Sequence, residues 1–284
     1  MRETLIRAVN LHYTYDAGTD GAIQALRGLD LTIDRGQYLA IVGHNGSGKS
    51  TLAKCLNGLL IPTRGDVWVN GCNTRDQRAR IGIRATVGMV FQNPDSQMVS
   101  TVVEEEVAFG PENLGVPRDE LRRRVDQALA ETGLTPVRHR RPRTLAAGQK
   151  ALLAIASILA MQPACLVMDE CTAMLDPASR RRILNLVHRL HRGGLAVVAI
   201  THLMEEVTHA DHVLVLHQGR IALEGTPRQV FSQDASLDGL GLGLPTAAAI
   251  GRRLRRRGAQ LPEDILTADE LVRAASAASA RAEA

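Results

Sequence analysis

The first third of the chain alternates between apolar and polar residues as half-buried β-strands do. Residues 29–34 place aliphatic side chains on one side and polar side chains on the other, and Val67 and Val69 repeat the pattern. This period of two predicts strands with one buried face. Residues 38–42 form instead a continuous apolar run that ends at Gly43, which predicts a strand buried on both faces.

The pattern becomes helical between residues 93 and 163. Thr101 and Glu104 have the spacing of a capping box, which predicts a helix with Thr101 at its N-cap. A second helix is predicted to open at Pro117 and to stop at Gly133, with its apolar residues on one face. The residues after the phosphate-binding motif, 51–60, also read as a helix.

Apolar strands return after residue 163, at residues 165–168, 195–200 and 213–216, and residues 217–220 form a plausible hairpin turn. A helical block inserted between two strand-rich halves predicts an α/β domain over residues 3–236. The remaining segment, residues 237–284, is Gly-rich at first and then helical and basic. We expect it to be a separate helical appendage.

Composition narrows the possible classes of function only a little. Hydrophobic residues make up 45% of the 284 residues but aromatics only 2%, so the core must be built from aliphatic side chains. The net charge of +4 owes much to an arginine-rich run at 252–257 that has no interleaved aromatics, which argues against a nucleic-acid partner. No apolar run reaches the roughly 18 residues of a membrane span. The four cysteines show no Cys-x-x-Cys spacing, which fits free thiols in a reducing compartment. We therefore expect a cytoplasmic protein.

A complete phosphate-binding motif follows the apolar strand. Its residues are Gly43, His44, Asn45, Gly46, Ser47, Gly48, Lys49 and Ser50, followed by Thr51. The glycines allow backbone N–H groups to turn inward around phosphate oxygens, and the following helix adds its positive end. Lys49 is expected to reach the β- and γ-phosphates of ATP, and the Ser50 hydroxyl to bind Mg²⁺. The alternative, a chance glycine-rich turn, would not require this strand–loop–helix context.

Two acids and two isolated polar residues complete the candidate chemistry. Asp169 and Glu170 close the apolar run at 165–168, so Asp169 is predicted to hold Mg²⁺ and Glu170 to polarise the attacking water. Gln92 and His202 also follow predicted strands. Taken alone, such a His is more often structural, and a single Gln supports no assignment.

In this order and spacing, these elements resemble the ATP-binding-cassette family over residues 3–230. The matching positions are Tyr15, the phosphate-binding motif through Thr51, Gln92, Leu145 to Gln149, Asp169 with Glu170, Leu175 with Asp176, and His202. The resemblance implies a P-loop NTPase with a RecA-like core, an N-terminal antiparallel β subdomain and an inserted α-helical subdomain. It implies that Tyr15 stacks on adenine, that Gln92 contacts the metal and that His202 is a catalytic switch. Two such subunits would pair head to tail, with Asp176 in the loop at their interface.

A narrower likeness is to the first ATPase of energy-coupling-factor importers, which take up vitamins or transition-metal ions. It rests on the sequences at 91–97, 107–110, 112–117, 174–177 and 261–267. It implies a hetero-dimer with a second ABC ATPase at the cytoplasmic face of the membrane. A membrane coupling subunit would dock near residues 92–112 and work with a substrate-binding membrane subunit. The appendage would then contribute to dimerisation.

Other classes of ABC ATPase remain open at this point. The chain resembles the ATPase of another importer class less well. A soluble cassette acting on DNA would need a long coiled-coil insertion that is absent, and ribosomal versions carry two cassettes in one chain. A regulatory subunit that binds ATP without hydrolysing it would not need an intact Glu170 and His202.

The signature sequence departs from the family. The family has Leu-Ser-Gly-Gly-Gln, whereas this chain has Ala146, Ala147, Gly148 and Gln149 after Leu145. Ala146 lacks the hydroxyl that would contact the γ-phosphate of the partner's ATP, and Ala147 is expected to disturb a position that needs an unusual φ. We therefore expect one weak and one competent ATP site. The alternative interpretations are that the change is tolerated or that it is a lesion.

Overall fold

The computed structural model describes residues 3–282. Its strands are β1 (Thr4–Tyr15), β2 (Ile23–Asp34), β3 (Tyr38–Val42), β4 (Arg64–Val69), β5 (Cys72–Asn73), β6 (Val87–Val90), β7 (Cys165–Asp169), β8 (Ala196–Ile200), β9 (His212–His217) and β10 (Arg220–Gly225). Its helices are α1 (Lys49–Leu56), α2 (Arg80–Thr86), α3 (Val103–Asn113), α4 (Arg118–Thr132), α5 (Ala147–Leu159), α6 (Pro177–Arg192), α7 (Met204–Val207), α8 (Pro227–Phe231), α9 (Asp234–Gly239), α10 (Thr246–Arg256) and α11 (Ala268–Ala282).

The central sheet has six strands in the order β10-β9-β3-β8-β7-β6. β3 pairs in parallel with both β8 and β9, β7 lies parallel to β6 and β8, and β10 closes one edge as an antiparallel hairpin partner of β9. Every residue of β3, β7 and β8 is buried, as their unbroken apolar sequences predicted. The parallel strands bring their carboxyl ends to one edge of the sheet, where the polar residues that follow them meet.

An antiparallel sheet in the order β2-β1-β4-β5 covers one side of this core. The predicted alternation is confirmed, because Leu29, Leu31 and Ile33 in β2 and Val67 and Val69 in β4 are buried. These side chains share one hydrophobic cluster with residues of α1 and of the central sheet. The helix after the phosphate-binding motif is therefore packed between the two sheets.

The helices α3, α4 and α5 pack against one another between β6 and β7 in the chain. The predicted helix from Pro117 to Gly133 is confirmed: α4 begins after Pro117, and Gly133 ends it in the left-handed conformation at φ 69°. The predicted capping box of α3 is wrong. Its N-cap is Val102, and no side chain caps it.

The physical reason is a long-range contact. The N–H groups of Val103 and Glu104 donate to the carbonyl oxygens of Arg140 and Arg138, at 3.0 and 2.9 Å. The first turn thus satisfies its backbone donors through the 138–140 loop. The Glu104 carboxylate, which a capping box would turn back on the helix, accepts two hydrogen bonds from Arg138 instead.

The structure corrects the bounds of one predicted helix and confirms one predicted turn. The helix expected over residues 51–60 starts at Lys49 and ends at Leu56, since Asn57 leaves the helical conformation and Gly58 has φ 69°. The turn at residues 217–220 is confirmed. His217 pairs with Arg220, and Gln218 and Gly219 both have positive φ, as a two-residue hairpin loop requires.

The apolar residues of the C-terminal segment belong to two hydrophobic clusters. Leu237, Leu242 and Leu266 belong to the main hydrophobic cluster, while Ala247, Leu261 and Ile265 form a small cluster of their own. The boundary after residue 236 stays a prediction, and residues 283 and 284 of the expected appendage lie outside the described residues. No helix within residues 3–282 is long and apolar enough to span a bilayer.

Candidate nucleotide site

The loop after β3 has a backbone path that only glycine allows at two positions. Gly43 has φ 153°, and a Cβ there would lie 2.2 Å from the carbonyl oxygen of Leu216. Gly48 has φ 103°, and a Cβ there would lie 2.6 Å from the carbonyl oxygen of Ala25. Since neither carbonyl belongs to a flexible side chain, any substitution must move backbone. The sequence pattern of the phosphate-binding loop therefore has a steric cause.

Lys49 is the first residue of α1 and is only 5% exposed. Its Nζ donates hydrogen bonds to the carbonyl oxygens of Gly43 and His44 at 2.8 and 3.0 Å, and it lies 3.6 Å from Glu170 Oε1. The ammonium group is thus held beside the loop, near the open end of the helix, where a phosphate group would complete its coordination.

Ser50 and Asp169 meet directly, although they come from different elements. The Ser50 hydroxyl donates to Asp169 Oδ1 at 2.9 Å, and Asp169 ends β7 with 5% exposure. Burial raises the pKa of the Asp169 carboxyl, and the hydrogen bond from Ser50 partly offsets the shift. A hydroxyl and a carboxylate are oxygen ligands that fit Mg²⁺, with phosphate oxygens supplying further ligands. Residues 3–282 contain no cluster of three or more His, Cys, Asp or Glu suited to a metal.

Two residues that follow separate strands converge on the carboxylate of Glu170, which follows a third strand. Gln92 Nε2 donates to Glu170 Oε2 at 3.2 Å, and His202 Nδ1 lies 3.9 Å from the same oxygen. Glu170 has φ 51°, and its N–H donates to the carbonyl oxygen of Ile200 at 3.0 Å. This left-handed conformation turns Glu170 out of the line of β7 and towards the neighbouring strand end.

A cleft of about 520 Å³ lies over these groups. Its walls are Tyr15, Ile23, Gln24, Ala25, Asn45, Gly46, Gly48, Lys49, Ser50, Thr51, Gln92 and Glu170. Tyr15 is one of these walls, and its hydroxyl lies 3.0 Å from Thr51 Oγ1. The cleft therefore offers an aromatic side chain, an ammonium group and a carboxylate, which are groups that bind a nucleotide.

Three residues of the predicted loop, Gly43, His44 and Ser47, do not line this cleft. Ser47 is buried, its carbonyl accepts from the Gly219 N–H at 3.0 Å, and its hydroxyl has no hydrogen-bond partner within the described part of the chain. The His44 ring lies against Gly241. Ser47 and His44 therefore contact other parts of the fold instead of the cleft.

Comparison with known proteins gives the site its context. The model of the family described as ABC transporter matches residues 26–173. The chain is also 46% identical to the energy-coupling factor transporter ATP-binding protein EcfA1 of Caldanaerobacter subterraneus subsp. tengcongensis, over 94% of this chain and 97% of that protein. The chain belongs to the ABC transporter family. As an ABC ATPase, it hydrolyses ATP and uses Mg²⁺.

Further relatives agree with this assignment. The EcfA1 protein of Symbiobacterium thermophilum is 52% identical over 96% of this chain and 97% of that protein. The structure of cbiO1 from Clostridium perfringens, described as part of the ABC transporter complex cbiONQ, superimposes with a TM-score of 0.75 at 34% identity, over 90% of this chain and 98% of that one. A dimeric ATP-binding cassette in a post-hydrolysis state with ADP and Pi matches with a TM-score of 0.71 at 28% identity, over 79% and 99% of the two chains.

The signature of this ABC ATPase lies at the start of α5, outside the walls of the chain's own cleft. Ala146 is the N-cap and has no side-chain cap, while Gln149 Oε1 accepts from the Ala146 N–H at 3.2 Å. A Cβ on Gly148 would lie 2.4 Å from Ser179 Oγ, so this glycine allows α5 to approach α6. The expectation of an unusual φ at Ala147 is wrong, because this residue is the first of α5 and has no positive φ.

Asp176 in the predicted interface loop has a structural partner in the same chain. It is the N-cap of α6 and accepts from the N–H groups of Ala178 and Ser179, both at 3.0 Å. Hydrogen bonds from Ser179 and from this backbone lower the pKa of its carboxyl. Its role at a subunit interface remains a prediction.

Sequence reasoning missed the residues that support this ABC site. Gln97 donates to the Met89 carbonyl at 2.7 Å and accepts from the Phe91 N–H at 3.0 Å, which anchors the loop carrying Gln92. Lys150 on α5 pairs with Asp95 of the same loop at 2.7 Å. Gln97 lay in a motif that matched the importer ATPases, but no local signal marked its bonding partners.

Proposed function

We propose that this chain is the ATP-binding and ATP-hydrolysing subunit of an energy-coupling-factor importer for a vitamin or a transition-metal ion. The observation that carries the proposal is the convergence of Gln92 and His202 on Glu170, beside Lys49. The names of the EcfA1 relatives, matched over nearly the full length of both chains, support the class of importer.

The residues of the cleft have separate proposed roles in ATP binding and hydrolysis. Lys49 and the backbone N–H groups of the loop bind the phosphates of ATP, and Tyr15 stacks on the adenine. Ser50, Asp169 and Gln92 would hold Mg²⁺, which would supply positive charge next to the phosphates. Glu170 accepts a proton from the attacking water, because its carboxylate lies 3.6 Å from Lys49 Nζ with only 12% of its side chain exposed. His202, whose Nδ1 lies 3.9 Å from the Glu170 carboxylate, orients that water or the γ-phosphate.

A second cavity supports a docking site for the membrane coupling subunit. It measures about 400 Å³ and is lined by residues of α2, α3 and α5 and by the loop that follows Gln92. Phe109 is 46% exposed at its rim, and Ile81 is 67% exposed. Apolar side chains that remain exposed around a concave surface are typical of a helix-binding groove. The groove adjoins the Gln92 loop, so a docked helix would act on the ATP site. The chain would then lie peripherally at the cytoplasmic face.

The altered signature supports a hetero-dimer with a second ABC ATPase. Without a hydroxyl at Ala146, this chain offers the ATP of its partner a weaker contact, worth about 1.5–3 kcal/mol for a hydrogen bond to a charged group. A homodimer would carry the defect in both sites. A distinct partner with an intact signature would leave the cleft of this chain competent, and residues 237–284 would add contacts between the two subunits.

Lys49→Ala tests the ATPase assignment. We expect it to remove nucleotide binding and turnover in the purified assembly, whereas Lys54→Ala, on the same helix but outside the walls of the cleft, should keep both within a few-fold. Unchanged nucleotide affinity in Lys49→Ala would rule out the proposed site.

Phe109→Lys tests the docking groove. It should prevent co-extraction with membrane proteins in detergent while ATP binding persists. Trp68→Lys is the matched control, because Trp68 is similarly exposed, at 42%, on the antiparallel sheet. Equal recovery of membrane partners with both variants would contradict the groove assignment.

A further inference from the structure

We call residues 237–246 the C-terminal strap. It runs from the last residues of α9 to the first residue of α10 and has contacts with α7 and with His44. Leu237 and Leu242 are buried, at 1% and 8% exposure, in the hydrophobic cluster that also contains Met204 and Val207 of α7. α7 begins two residues after His202. The strap and the element that follows the proposed switch residue therefore share one hydrophobic core.

The strap also approaches the His44 side chain of the phosphate-binding loop. Gly241 ends α9 with φ 63°, and its N–H donates to the Asp238 carbonyl at 2.9 Å. A Cβ on Gly241 would lie 2.3 Å from His44 Nε2 and 2.9 Å from its Cε1. The His44 carbonyl in turn accepts a hydrogen bond from Lys49 Nζ at 3.0 Å. A side chain on Gly241 would therefore contact the ring of the same residue whose backbone carbonyl holds Lys49.

The second contact reaches the His202 segment. The Thr246 hydroxyl and N–H both donate to Glu205 Oε1, at 2.5 and 3.2 Å. Glu205 lies on α7, three residues after His202. Burial alone would raise the pKa of the Glu205 carboxyl, but the hydrogen bonds from Thr246 and the backbone outweigh burial and lower it. The strap thus holds an ionised carboxylate in place.

The same short helix is tied to the other side of the site. Glu206 is 5% exposed and its Oε1 accepts from the Thr172 hydroxyl at 2.8 Å. Thr172 follows Glu170 by two residues, and its carbonyl accepts from Arg180 Nε at 3.3 Å. The helix α7 is therefore fastened between the strap and the loop that carries the proposed base.

We propose that the strap is a positioning element of the ATPase site. Thr246 acts through Glu205 on the placement of His202, and Gly241 acts through His44 on the placement of Lys49. The inference rests on the proposed roles of Lys49 and His202. It predicts that the two contacts affect different kinetic constants, since one reaches a phosphate-binding group and the other a group needed only for hydrolysis.

Thr246→Val tests the contact with Glu205. In the purified assembly we expect kcat to fall about threefold to tenfold while the KM for ATP is unchanged, because an exposed hydrogen bond to a carboxylate is lost. Thr246→Ser keeps the hydroxyl and should restore kcat. Hydrogen exchange over residues 202–207 should be faster in Thr246→Val than in Thr246→Ser, with equal melting temperatures for the two variants.

Gly241→Ala tests the contact with His44. We expect the KM for ATP to rise about threefold or more, with a smaller change in kcat. Gly258→Ala is the matched control, because Gly258 also ends a helix with positive φ, 94°, but has no atom within 4 Å of the added Cβ. In a His44→Ala background, adding Gly241→Ala should raise the KM no further, since the ring that would be displaced is gone.

Several outcomes would overturn the proposal. These are a wild-type kcat in Thr246→Val, an equal loss in Thr246→Val and Thr246→Ser, or equal effects of Gly241→Ala and Gly258→Ala. Lys49→Ala distinguishes an error in the strap inference from an error in the proposed ATPase site. If Lys49→Ala abolishes turnover while the strap variants match wild type, only the strap inference is wrong.

Discussion

Restoring the signature serine should affect stability and turnover separately. Ala146 is the N-cap of α5, with the extended backbone of a cap residue (φ −64°, ψ 156°) but no side-chain acceptor. In Ala146→Ser, the hydroxyl can accept from the N–H of the third helical residue. Such a cap contributes about 1 kcal/mol, which corresponds to about 2 °C in the melting temperature of a domain of this size. The isolated chain should therefore melt at a higher temperature.

The effect on turnover should appear only in the assembly. The restored hydroxyl would donate to the γ-phosphate of the partner's ATP, which is worth about 1.5–3 kcal/mol, or roughly ten- to a hundredfold at that site. Since Ala147 has an ordinary helical conformation, Ser alone should suffice, and adding Ala147→Gly should bring little more. We expect the total turnover of the assembly to rise about twofold or more, because a second site becomes competent.

Ala146→Asp is the control that separates the two effects. A carboxylate caps the helix as well as a hydroxyl does, but it cannot donate to a phosphate and repels it. Both variants should raise the melting temperature of the isolated chain, measured by circular dichroism, whereas only Ala146→Ser should raise phosphate release in the assembly. If Ala146→Ser stabilises the chain and leaves turnover unchanged, the weak-site hypothesis is wrong.

Three further substitutions test other parts of the structure. Gly43→Ala should lower the free energy of unfolding by about 1–3 kcal/mol more than Gly46→Ala. The added Cβ would lie 2.2 Å from a backbone carbonyl oxygen at position 43 but would have open space at position 46. Equal free energies of unfolding for the two variants, measured in urea, would contradict the steric argument. Hydrogen bonds from Arg138 lower the pKa of Glu104, so this pair stabilises the fold above the unfolded pKa of about 4.3, and the stability is lost as pH falls through the folded pKa. Arg138→Ala should therefore reduce the loss of stability on acidification, measured by thermal melts from pH 6 to 3, and an unchanged acid limb would refute the assignment. Glu170→Gln should reduce turnover about a hundredfold or more while ATP still binds, and turnover within tenfold of wild type would exclude it as the base.

The contiguous features of this ATPase were readable from the sequence. The phosphate-binding loop is a local motif whose glycines satisfy local backbone requirements, so the loop and the strand before it were predicted correctly, whereas the predicted helix after it began two residues late and ended four residues late. Strand periodicity identified β2 and β4, and a continuous apolar run identified β3. Gly133 marked the end of α4 because glycine readily adopts the left-handed conformation found there. The failed capping box at Thr101 shows the limit, because the donors of that turn are satisfied by carbonyl groups some thirty-five residues away in sequence.

Only the tertiary structure decided which distant residues share a site. Gln92 and Glu170 are 78 residues apart, and Ser50 and Asp169 are 119 apart, yet each pair is in hydrogen-bonding contact. Strand order places them together, and crossover connections between parallel strands leave no local trace of that order. The contact between Gly241 and His44 is of the same kind. This contact depends on the path of the chain after β10, the last strand of the central sheet. Residue types and their spacing do not indicate that path.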